Sequence, residues 1–148
     1  VRIYPVGRLD KESDGLLLMT NRGELVNAIL RARNAHEKEY VVTVNRTITR
    51  DFIRDMESGV DIGDTESGAC MTRPCKVRQT GDRSFRIVLT QGLNRQIRRM
   101  CAALGYEVIS LTRVRIMNIE LKDLPRGQYR EVAGEELRRL EELLRPEG

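Results

Sequence analysis

The segment Lys38–Val44, which reads Lys-Glu-Tyr-Val-Val-Thr-Val, has the pattern of a β-strand. Most of its residues are β-branched or aromatic, and such side chains suit the pleated surface of a sheet. Tyr40, Val42 and Val44 recur with a period of two. Because successive side chains of a strand point to opposite faces, we expect these three to share one face.

Further strands are predicted on both sides of this segment. Residues 77–89 are predicted to form a hairpin that turns at Gly81-Asp82, with Phe85, Ile87 and Leu89 alternating along its second strand. The compact apolar run 16–19 predicts a buried strand. Residues 108–121 predict a longer strand, in which the alternation places Arg113 and Arg115 on the same side.

Helices are predicted between these strands. Thr49 is a candidate N-cap of a helix that ends at Gly59, and Asn94 of a helix that ends at Gly105. Residues 138–144 predict a last amphipathic helix rich in Glu and Arg. Because strands, hairpins and helices are interspersed, the sequence predicts the α+β class.

Composition narrows the function classes. The 148 residues suit one domain, and no apolar run approaches the roughly 20 residues that span a bilayer, so we expect no membrane partner. Three cysteines, an odd number, fit a reduced cytoplasmic setting. With His36 as the single histidine, a metal site and a Ser-His-Asp triad both lack residues, and we expect no cofactor.

Charge is distributed unevenly along the chain. Residues 68–130 hold 13 basic and 4 acidic residues, a net charge of +9, whereas the whole chain has a net charge of +4. Of the 26 basic residues 22 are Arg, whose planar guanidinium grips phosphate bidentately and stacks on bases. A basic block in an otherwise acidic chain indicates a surface for a polyanion such as RNA, although a solvated basic face is the alternative.

Two segments carry candidate chemistry. In residues 7–15 the carboxylate of Asp10 stands between Arg8 and Lys11. Nearby cations favour its ionised form, which could act as a nucleophile or base, although an ordinary loop or cap carboxylate has the same pattern. In residues 91–100 a helix is predicted to begin with Arg95, Arg98 and Arg99 in its first two turns. Cations there oppose the helix dipole unless an anion lies nearby, either a phosphate or a carboxylate such as Asp10.

Together these segments resemble pseudouridine synthases of the RsuA/RluB/RluE/RluF family, most closely its RluF branch, which modifies large-subunit ribosomal RNA. The resemblance rests on motifs that occur in the family's order along nearly the whole chain. These motifs are Gly7-Arg8-Leu9-Asp10, Ser13-x-Gly15-Leu16-Leu17-Leu18-x-Thr20-Asn21, Glu37-Lys38-Glu39-Tyr40-x-Val42, Gly92-x-Asn94-Arg95-Gln96-Ile97-Arg98-Arg99-Met100, Arg113 with Arg115, and Leu124-x-x-Gly127-x-x-Arg130.

The resemblance implies a fold, a reaction and a set of site residues. It implies a central, mostly antiparallel mixed sheet flanked by helices, and the isomerisation of a uridine in RNA to pseudouridine without a metal or cofactor. Asp10 matches the catalytic aspartate, Tyr40 the tyrosine that packs on the target base, and Arg98 the basic partner of the carboxylate. The remaining matched or nearby residues are expected to contact RNA or line the pocket: Arg8, which can fill the gap left by the flipped nucleotide, Lys11, Asn94, Arg95, Ile97, Arg99, Arg113 and Arg115.

Several expectations remain open at this stage. The carboxylate could attack the sugar or the base, or abstract a sugar proton, and the target could lie in ribosomal or transfer RNA. A non-catalytic RNA-binding module on the same scaffold is the alternative function. We expect residues 1–148 to be one catalytic domain that acts as a monomer, with the Lys-Pro-x-Gly strand motif and the S4-like domain of the family missing upstream of Val1.

Overall fold

A computed structural model describes residues 3–6, 9, 11–31, 37–63, 68–93 and 95–144. Within these ranges the strands are β1 (Tyr4–Val6), β2 (Asp14–Gly15), β3 (Leu18–Thr20), β4 (Lys38–Val44), β5 (Lys76–Gly81), β6 (Ser84–Leu89), β7 (Val108–Ile116) and β8 (Ile119–Glu120). The helices are α1 (Gly23–Arg31), α2 (Arg50–Ser58), α3 (Gln96–Ala103) and α4 (Gly134–Leu143). The predicted α+β class is confirmed.

One main sheet organises the molecule. Its strand order is β2-β7-β4-β6-β5, and β8 pairs with β7 outside this path. Only β2, which runs parallel to β7, departs from the antiparallel pairing of the described strands. Strands β1 and β3 form a separate antiparallel pair. The predicted mostly antiparallel mixed sheet with flanking helices is therefore confirmed.

Strand β4 lies in the middle of this sheet, between β6 and β7. Val42 and Val44 are fully buried, and Tyr40 packs against the same core, so the predicted shared face is confirmed. Phe85 and Ile87 of β6 and Phe52 of α2 complete its centre. Burial of large apolar side chains stabilises a fold by about 1.5–3 kcal/mol each, so this layer anchors the sheet.

Helix α2 and the hairpin follow the prediction closely. The Thr49 hydroxyl accepts a hydrogen bond from the backbone N–H of Phe52 at 3.1 Å, and Gly59 ends the helix with φ of 107°. The hairpin turns at Asp82 and Arg83, one residue later than predicted, because Gly81 still pairs with Ser84.

A second, smaller core joins the two-stranded sheet to α4. Leu16 and Leu18 are buried in it together with Leu140, whereas Leu17 and Met19 are exposed. The buried strand predicted at 16–19 is therefore wrong in extent and in burial: the strand is Leu18–Thr20, and only alternate side chains of this stretch are buried. The β1–β3 pair is covered on one face only, and its side chains alternate between core and solvent.

Two local predictions, one for β7 and one for the start of α3, are also wrong. In the β4–β7 pair Glu39 lies opposite Arg115 and Tyr40 lies opposite Arg113, so Val114 is the extra residue of a β-bulge. A bulge reverses the alternation, and Arg113 and Arg115 consequently face opposite sides of the sheet. The N-cap of α3 is Arg95, in the left-handed conformation with φ of 50°, rather than Asn94, which lies outside the described residues.

Candidate active site

A cleft of about 270 Å³ opens beside the middle strands of the sheet. We call it the Tyr40 cleft. Its described lining residues are Leu9, Ser13, Lys38, Tyr40, Leu89, Gln91, Gly92, Leu93, Arg95, Gln96, Ile97, Leu111 and Arg113. The volume lies just below the range of sites for drug-sized ligands, about 300–1,000 Å³, and suits a single nucleobase.

The segment that precedes β2 reaches this cleft because β2 is fixed tightly to β7. Gly15 has φ of 114°, and a Cβ at this position would lie only 2.3 Å from the carbonyl oxygen of Arg113. The Leu16 N–H donates to that same carbonyl at 2.8 Å. Only glycine permits such a close approach of two backbones with this φ.

Asp14 adds a side-chain tie between the same two strands. The Thr112 hydroxyl donates to Asp14 Oδ1 at 2.6 Å, and Arg126 donates to its other oxygen. These contacts, first the Thr112 hydrogen bond and then Arg126, hold the pKa of Asp14 below its usual value. Asp14 is therefore ionised at neutral pH and helps to fix the segment that ends at Ser13.

Strand β4 contributes Lys38 and Tyr40 to the cleft, since residues two apart on a strand share a face. Lys38 is half-buried, and burial followed by the repulsion of Arg113 lowers its pKa. No described carboxylate forms an ion pair with it. Lys38 was missed as a site residue, although its spacing from Tyr40 in the Glu37-Lys38-Glu39-Tyr40 motif is the signal that could have identified it.

Strand β7 contributes Arg113, which is only 5% exposed. Its Nε donates to the carbonyl oxygen of Leu16 at 2.9 Å. Its Nη2 is buried and has no hydrogen-bond partner among the described residues, and the same holds for the hydroxyl of Ser13. Buried polar groups in proteins are nearly always paired, so both groups are candidates to bind a ligand in the cleft.

The start of α3 is tied to the loop that carries Glu12. Arg95 Nη1 donates to Glu12 Oε2 at 2.6 Å, and Arg98 Nη2 donates to the Glu12 backbone carbonyl at 3.0 Å. The Arg95 hydrogen bond is the main reason why the pKa of Glu12 is lowered. Among the described residues, the carboxylate beside this helix start is therefore Glu12, which is not one of the site residues predicted from the sequence.

Arg98 is partly enclosed at this junction. Its side chain is 14% exposed, and its Nε lies 3.9 Å from Glu12 Oε2. This Nε is buried and has no hydrogen-bond partner among the described residues. The structure thus brings Arg98 to the segment 11–13, whereas the guanidinium is not part of the described lining of the Tyr40 cleft.

Gln96, which was also missed, shapes the loop between β6 and α3. It is 4% exposed, its Oε1 accepts from the Leu93 N–H at 3.2 Å, and its Nε2 donates to Gln91 Oε1 at 3.3 Å. The neighbouring Ile97 is buried and lines the cleft, where the sequence resemblance places it. Gln96 thus fixes the loop before α3, and Ile97 adds an apolar side chain to the cleft lining.

The other predicted site residues are not in the described lining of the cleft. Asp10, Arg8 and Asn94 lie outside the described residues, and Lys11 is exposed. Arg99 Nη2 donates to the carbonyl oxygen of Ile62 at 2.6 Å, and Arg115 pairs with Glu39 at 3.1 Å and with Glu37 at 3.6 Å. Arg99 and Arg115 are thus not among the residues that line the cleft.

The cysteines take no part in this site. All three are free thiols, and burial raises the pKa of Cys75 to about 11 and that of Cys101 to about 12. A buried, protonated thiol is a poor nucleophile, so Cys75 and Cys101 are unsuited to nucleophilic catalysis. Within the described ranges no three His, Cys, Asp or Glu side chains come together as a metal site, and none of the described helices is long and apolar enough to cross a bilayer.

Comparison with known proteins gives consistent matches. The sequence profile described as RNA pseudouridylate synthase matches residues 1–103. The chain is 54% identical to the dual-specificity RNA pseudouridine synthase RluF of Escherichia coli strain K12, over 92% of this chain and 45% of that protein. It is 34% identical to the ribosomal large subunit pseudouridine synthase B of Bacillus subtilis strain 168, over 96% of this chain and 59% of that protein. The chain spans about half the length of the curated relatives it matches.

A solved structure agrees with these matches. A crystal structure of a pseudouridylate synthase superposes with a TM-score of 0.83 at 28% identity. The superposition covers 95% of this chain and 59% of the solved chain.

Proposed function

The chain belongs to the RNA pseudouridylate synthase family, of the RsuA/RluB/RluF type, and from this premise we propose that it isomerises a uridine of ribosomal RNA to pseudouridine. The observation that carries the proposal is the Tyr40 cleft, which has the size of one base and is lined by an aromatic ring, an apolar wall and three cations. The names of the relatives, which include the ribosomal large subunit, support ribosomal RNA as the substrate class.

Asp10 is the proposed catalytic carboxylate. It stands in the chain between Leu9 and Ser13, both of which line the cleft. The reaction breaks the C1′–N1 bond of uridine, turns the base, and rejoins it to the sugar through C5. A carboxylate suffices for this chemistry, whether it attacks the sugar, attacks the base or removes a sugar proton.

The other proposed roles follow from the cost of extracting a base from RNA. Unstacking a nucleotide costs a few kcal/mol. Tyr40 offsets that cost by packing on the flipped base, a contact worth about 1–3 kcal/mol. Ile97 lines the pocket beside it, Arg98 supports the catalytic carboxylate, and Arg8 fills the gap in the RNA stack.

The RNA that flanks the flipped base contacts residues at the rim of the cleft. Arg95 at the rim of the cleft is placed for a flanking phosphate, since an arginine at a helix N-terminus binds anions together with free backbone N–H groups. Lys11 and Asn94, which neighbour Asp10 and Arg95 in the chain, extend this contact. Arg113 is buried in the cleft, whereas Arg99 and Arg115 are held by the Ile62 carbonyl and by Glu37 and Glu39 and support the fold. We propose that residues 1–148 form the catalytic domain, and that the enzyme acts in the cytoplasm as a monomer without a cofactor.

The test is the formation of pseudouridine in ribosomal RNA from cells that lack the protein. Wild-type protein should restore pseudouridine at a defined uridine, detected by mass spectrometry of nuclease fragments. Asp10→Asn should abolish the reaction and leave the dissociation constant for RNA within a few-fold. Asp55→Asn changes a partly exposed aspartate on α2 that does not line the cleft, and it serves as the matched control with unchanged activity.

The results also separate the two functions. Wild-type activity with an inactive Asp10→Asn variant supports the enzyme. Pseudouridine formation by Asp10→Asn at the wild-type rate would remove the carboxylate from the mechanism. RNA binding by the wild-type protein without any pseudouridine would favour the non-catalytic RNA-binding module.

A further inference from the structure

We propose that Lys38 and Arg113 form a cationic pair that binds the carbonyl oxygens of the target uracil and stabilises the negative charge that develops on the base when its bond to the sugar breaks. The inference rests on the proposed function and adds two catalytic residues to it. Neither residue belongs to the pair formed by the carboxylate and its supporting arginine.

The positions of Lys38 and Arg113 in the cleft suit contacts with the edge of a base. Lys38 and Arg113 both line it, on the neighbouring strands β4 and β7, and Arg113 lies opposite Tyr40 in the strand register. A base that packs on the Tyr40 ring would therefore present an edge to Arg113. Lys38 Nζ lies beside the loop before α3, which also lines the cleft, 3.5 Å from where a Cβ of Gly92 would stand.

Neither Lys38 nor Arg113 forms an ion pair with a described carboxylate. Arg113 is only 5% exposed, yet its Nη2 has no hydrogen-bond partner among the described residues. Lys38 is half-buried, and no described carboxylate pairs with it. Three described lining residues are cationic and none is acidic. Two like charges held close together in a partly desolvated cleft favour an anion between them.

Burial distinguishes a base from a phosphate as the ligand. Arg95, at the rim, has a side chain that is 43% exposed, as suits a contact with the RNA backbone, which remains in water. The enclosed Nη2 of Arg113 suits a group that leaves water completely. A flipped uracil enters the cleft edge first, and its O2 and O4 are planar acceptors that match a guanidinium and an ammonium.

The chemistry puts negative charge on those oxygens by each available route. If the Asp10 carboxylate bonds to C1′, or if it takes the C2′ proton while C1′=C2′ forms, the C1′–N1 electron pair leaves with uracil as a monoanion shared by N1, O2 and O4. If the carboxylate instead adds to C6, the C5=C6 electrons move to O4. After the base has turned, C5 bonds to C1′. This displaces the carboxylate from C1′ in the first route, is accompanied by return of the proton to C2′ in the second, and replaces the C1′–N1 bond in the third, before the carboxylate leaves C6. In each route C5 loses its proton and N1 gains one. The cationic pair therefore lowers the barrier whichever route operates.

Lys38→Met is the decisive variant, because it removes the charge and breaks no hydrogen bond to a described residue. With full-length protein and saturating RNA, the single-turnover rate of pseudouridine formation should fall about 100- to 1,000-fold, as when one oxyanion donor is removed. The dissociation constant for RNA should change less than threefold. Lys38→Arg, which keeps the charge, should recover most of the rate, and Arg54→Met on the exposed face of α2 is the matched control with the wild-type rate.

A second measurement separates charge stabilisation from a structural role. Fluorine at C5 stabilises negative charge on the uracil ring, so RNA with 5-fluorouridine at the target should depend less on Lys38. The ratio of wild-type to Lys38→Met rates, measured as loss of the target nucleoside in nuclease digests, should shrink at least tenfold with this substrate. Arg113→Lys, which keeps one donor and the charge, should show a smaller rate loss with the same trend.

Each other outcome overturns the inference. A wild-type rate for Lys38→Met removes the pair from catalysis. A rate loss that is equal for uridine and 5-fluorouridine assigns Lys38 to structure, and a weaker dissociation constant with an unchanged rate assigns it to a phosphate. If wild-type protein forms no pseudouridine in any RNA, the proposed function itself fails, and the inference fails with it.

Discussion

The two faces of the β4–β7 strand pair carry similar charged residues in opposite electrostatic states. On the cleft face, Lys38 and Arg113 lie close together without a carboxylate among the described residues. On the opposite face, Glu39 accepts hydrogen bonds from Arg86 at 2.8 Å and from Arg115 at 3.1 Å. Within the described ranges, the cleft face therefore carries positive charge without a neighbouring carboxylate, whereas the charges of the opposite face pair with each other and contribute to stability.

The bulge at Val114 creates this difference. Without the extra residue, regular alternation would put Arg113 and Arg115 on one face. Both arginines would then compete for Glu39, or both would face the cleft. Because of this one extra residue, Arg115 pairs with Glu39 on one face and Arg113 lines the cleft on the other.

The largest effect on stability is expected from Gly15→Ala, which disrupts the packing of β2 on β7 beside the cleft face. A Cβ would lie 2.3 Å from the Arg113 carbonyl oxygen, and φ of 114° is strained for alanine. The free energy of unfolding should fall by about 3 kcal/mol or more. Urea denaturation measures it, with Gly23→Ala as control, since nothing lies within 4 Å of a Cβ there. Equal stability of Gly15→Ala and wild type would mean that β2 does not pack on β7 in this register.

A smaller effect is expected from Glu39→Gln on the opposite face. Burial raises the pKa of Glu39, but the hydrogen bonds and charges of Arg86 and Arg115 outweigh it, and the net pKa is lowered. The variant leaves both arginines with a neutral partner, so the free energy of unfolding should fall by about 1–3 kcal/mol at pH 7. Because this face does not touch the cleft, the single-turnover rate should change less than threefold.

The pH dependence of this loss checks its origin. A carboxylate with a depressed pKa in the folded state stabilises the protein fully above its unfolded pKa of about 4.3 and loses that contribution as the pH falls through the folded pKa. The difference between wild type and Glu39→Gln should therefore be constant near neutral pH, begin to shrink as the pH falls below the unfolded pKa of about 4.3, and be lost once the pH has passed through the lowered folded pKa. A difference that persists unchanged at pH 3 would assign the loss to packing instead of charge.

Most of the fold follows from local patterns in the sequence. The alternation of Tyr40, Val42 and Val44, the Thr49 cap and the hairpin depend on neighbours within a few residues, and all three are confirmed. The bulge at Val114 depends on how two strands 70 residues apart in the chain are aligned, and no local pattern records it. The buried strand predicted at 16–19 failed for a similar reason, because composition does not say which faces are covered.

The candidate site was predictable in part. Tyr40, Ile97, Arg95 and Arg113 were selected from motifs and line the cleft. Lys38 could have been found from its spacing to Tyr40 on a strand. The pairing of Arg95 with Glu12, 83 residues away, could not be found, because long-range ion pairs leave no signal in a single sequence.

The smallest effect is expected from Arg95, which is intermediate between the two faces because it lines the cleft and is also paired with Glu12. When RNA binds, a phosphate should replace the Glu12 carboxylate as the partner of the Arg95 guanidinium. Because this guanidinium is exposed to water, exchanging one anion for the other changes the binding free energy only slightly. Arg95→Met should therefore weaken RNA binding modestly. Its clearer signature is the slope of log affinity against log salt, which should flatten by about 0.7 for a single-stranded contact and about 0.9 for a duplex contact.

Arg99→Met provides the contrast on the same helix. Its guanidinium donates to the Ile62 carbonyl, so the variant should lower the free energy of unfolding and leave the salt slope unchanged. An unchanged slope for Arg95→Met together with a flatter slope for Arg99→Met would place the RNA on the Ile62 side of α3. The rim of the Tyr40 cleft would then not be the RNA contact, and the electrostatic contrast between the two sheet faces would have to be explained without RNA.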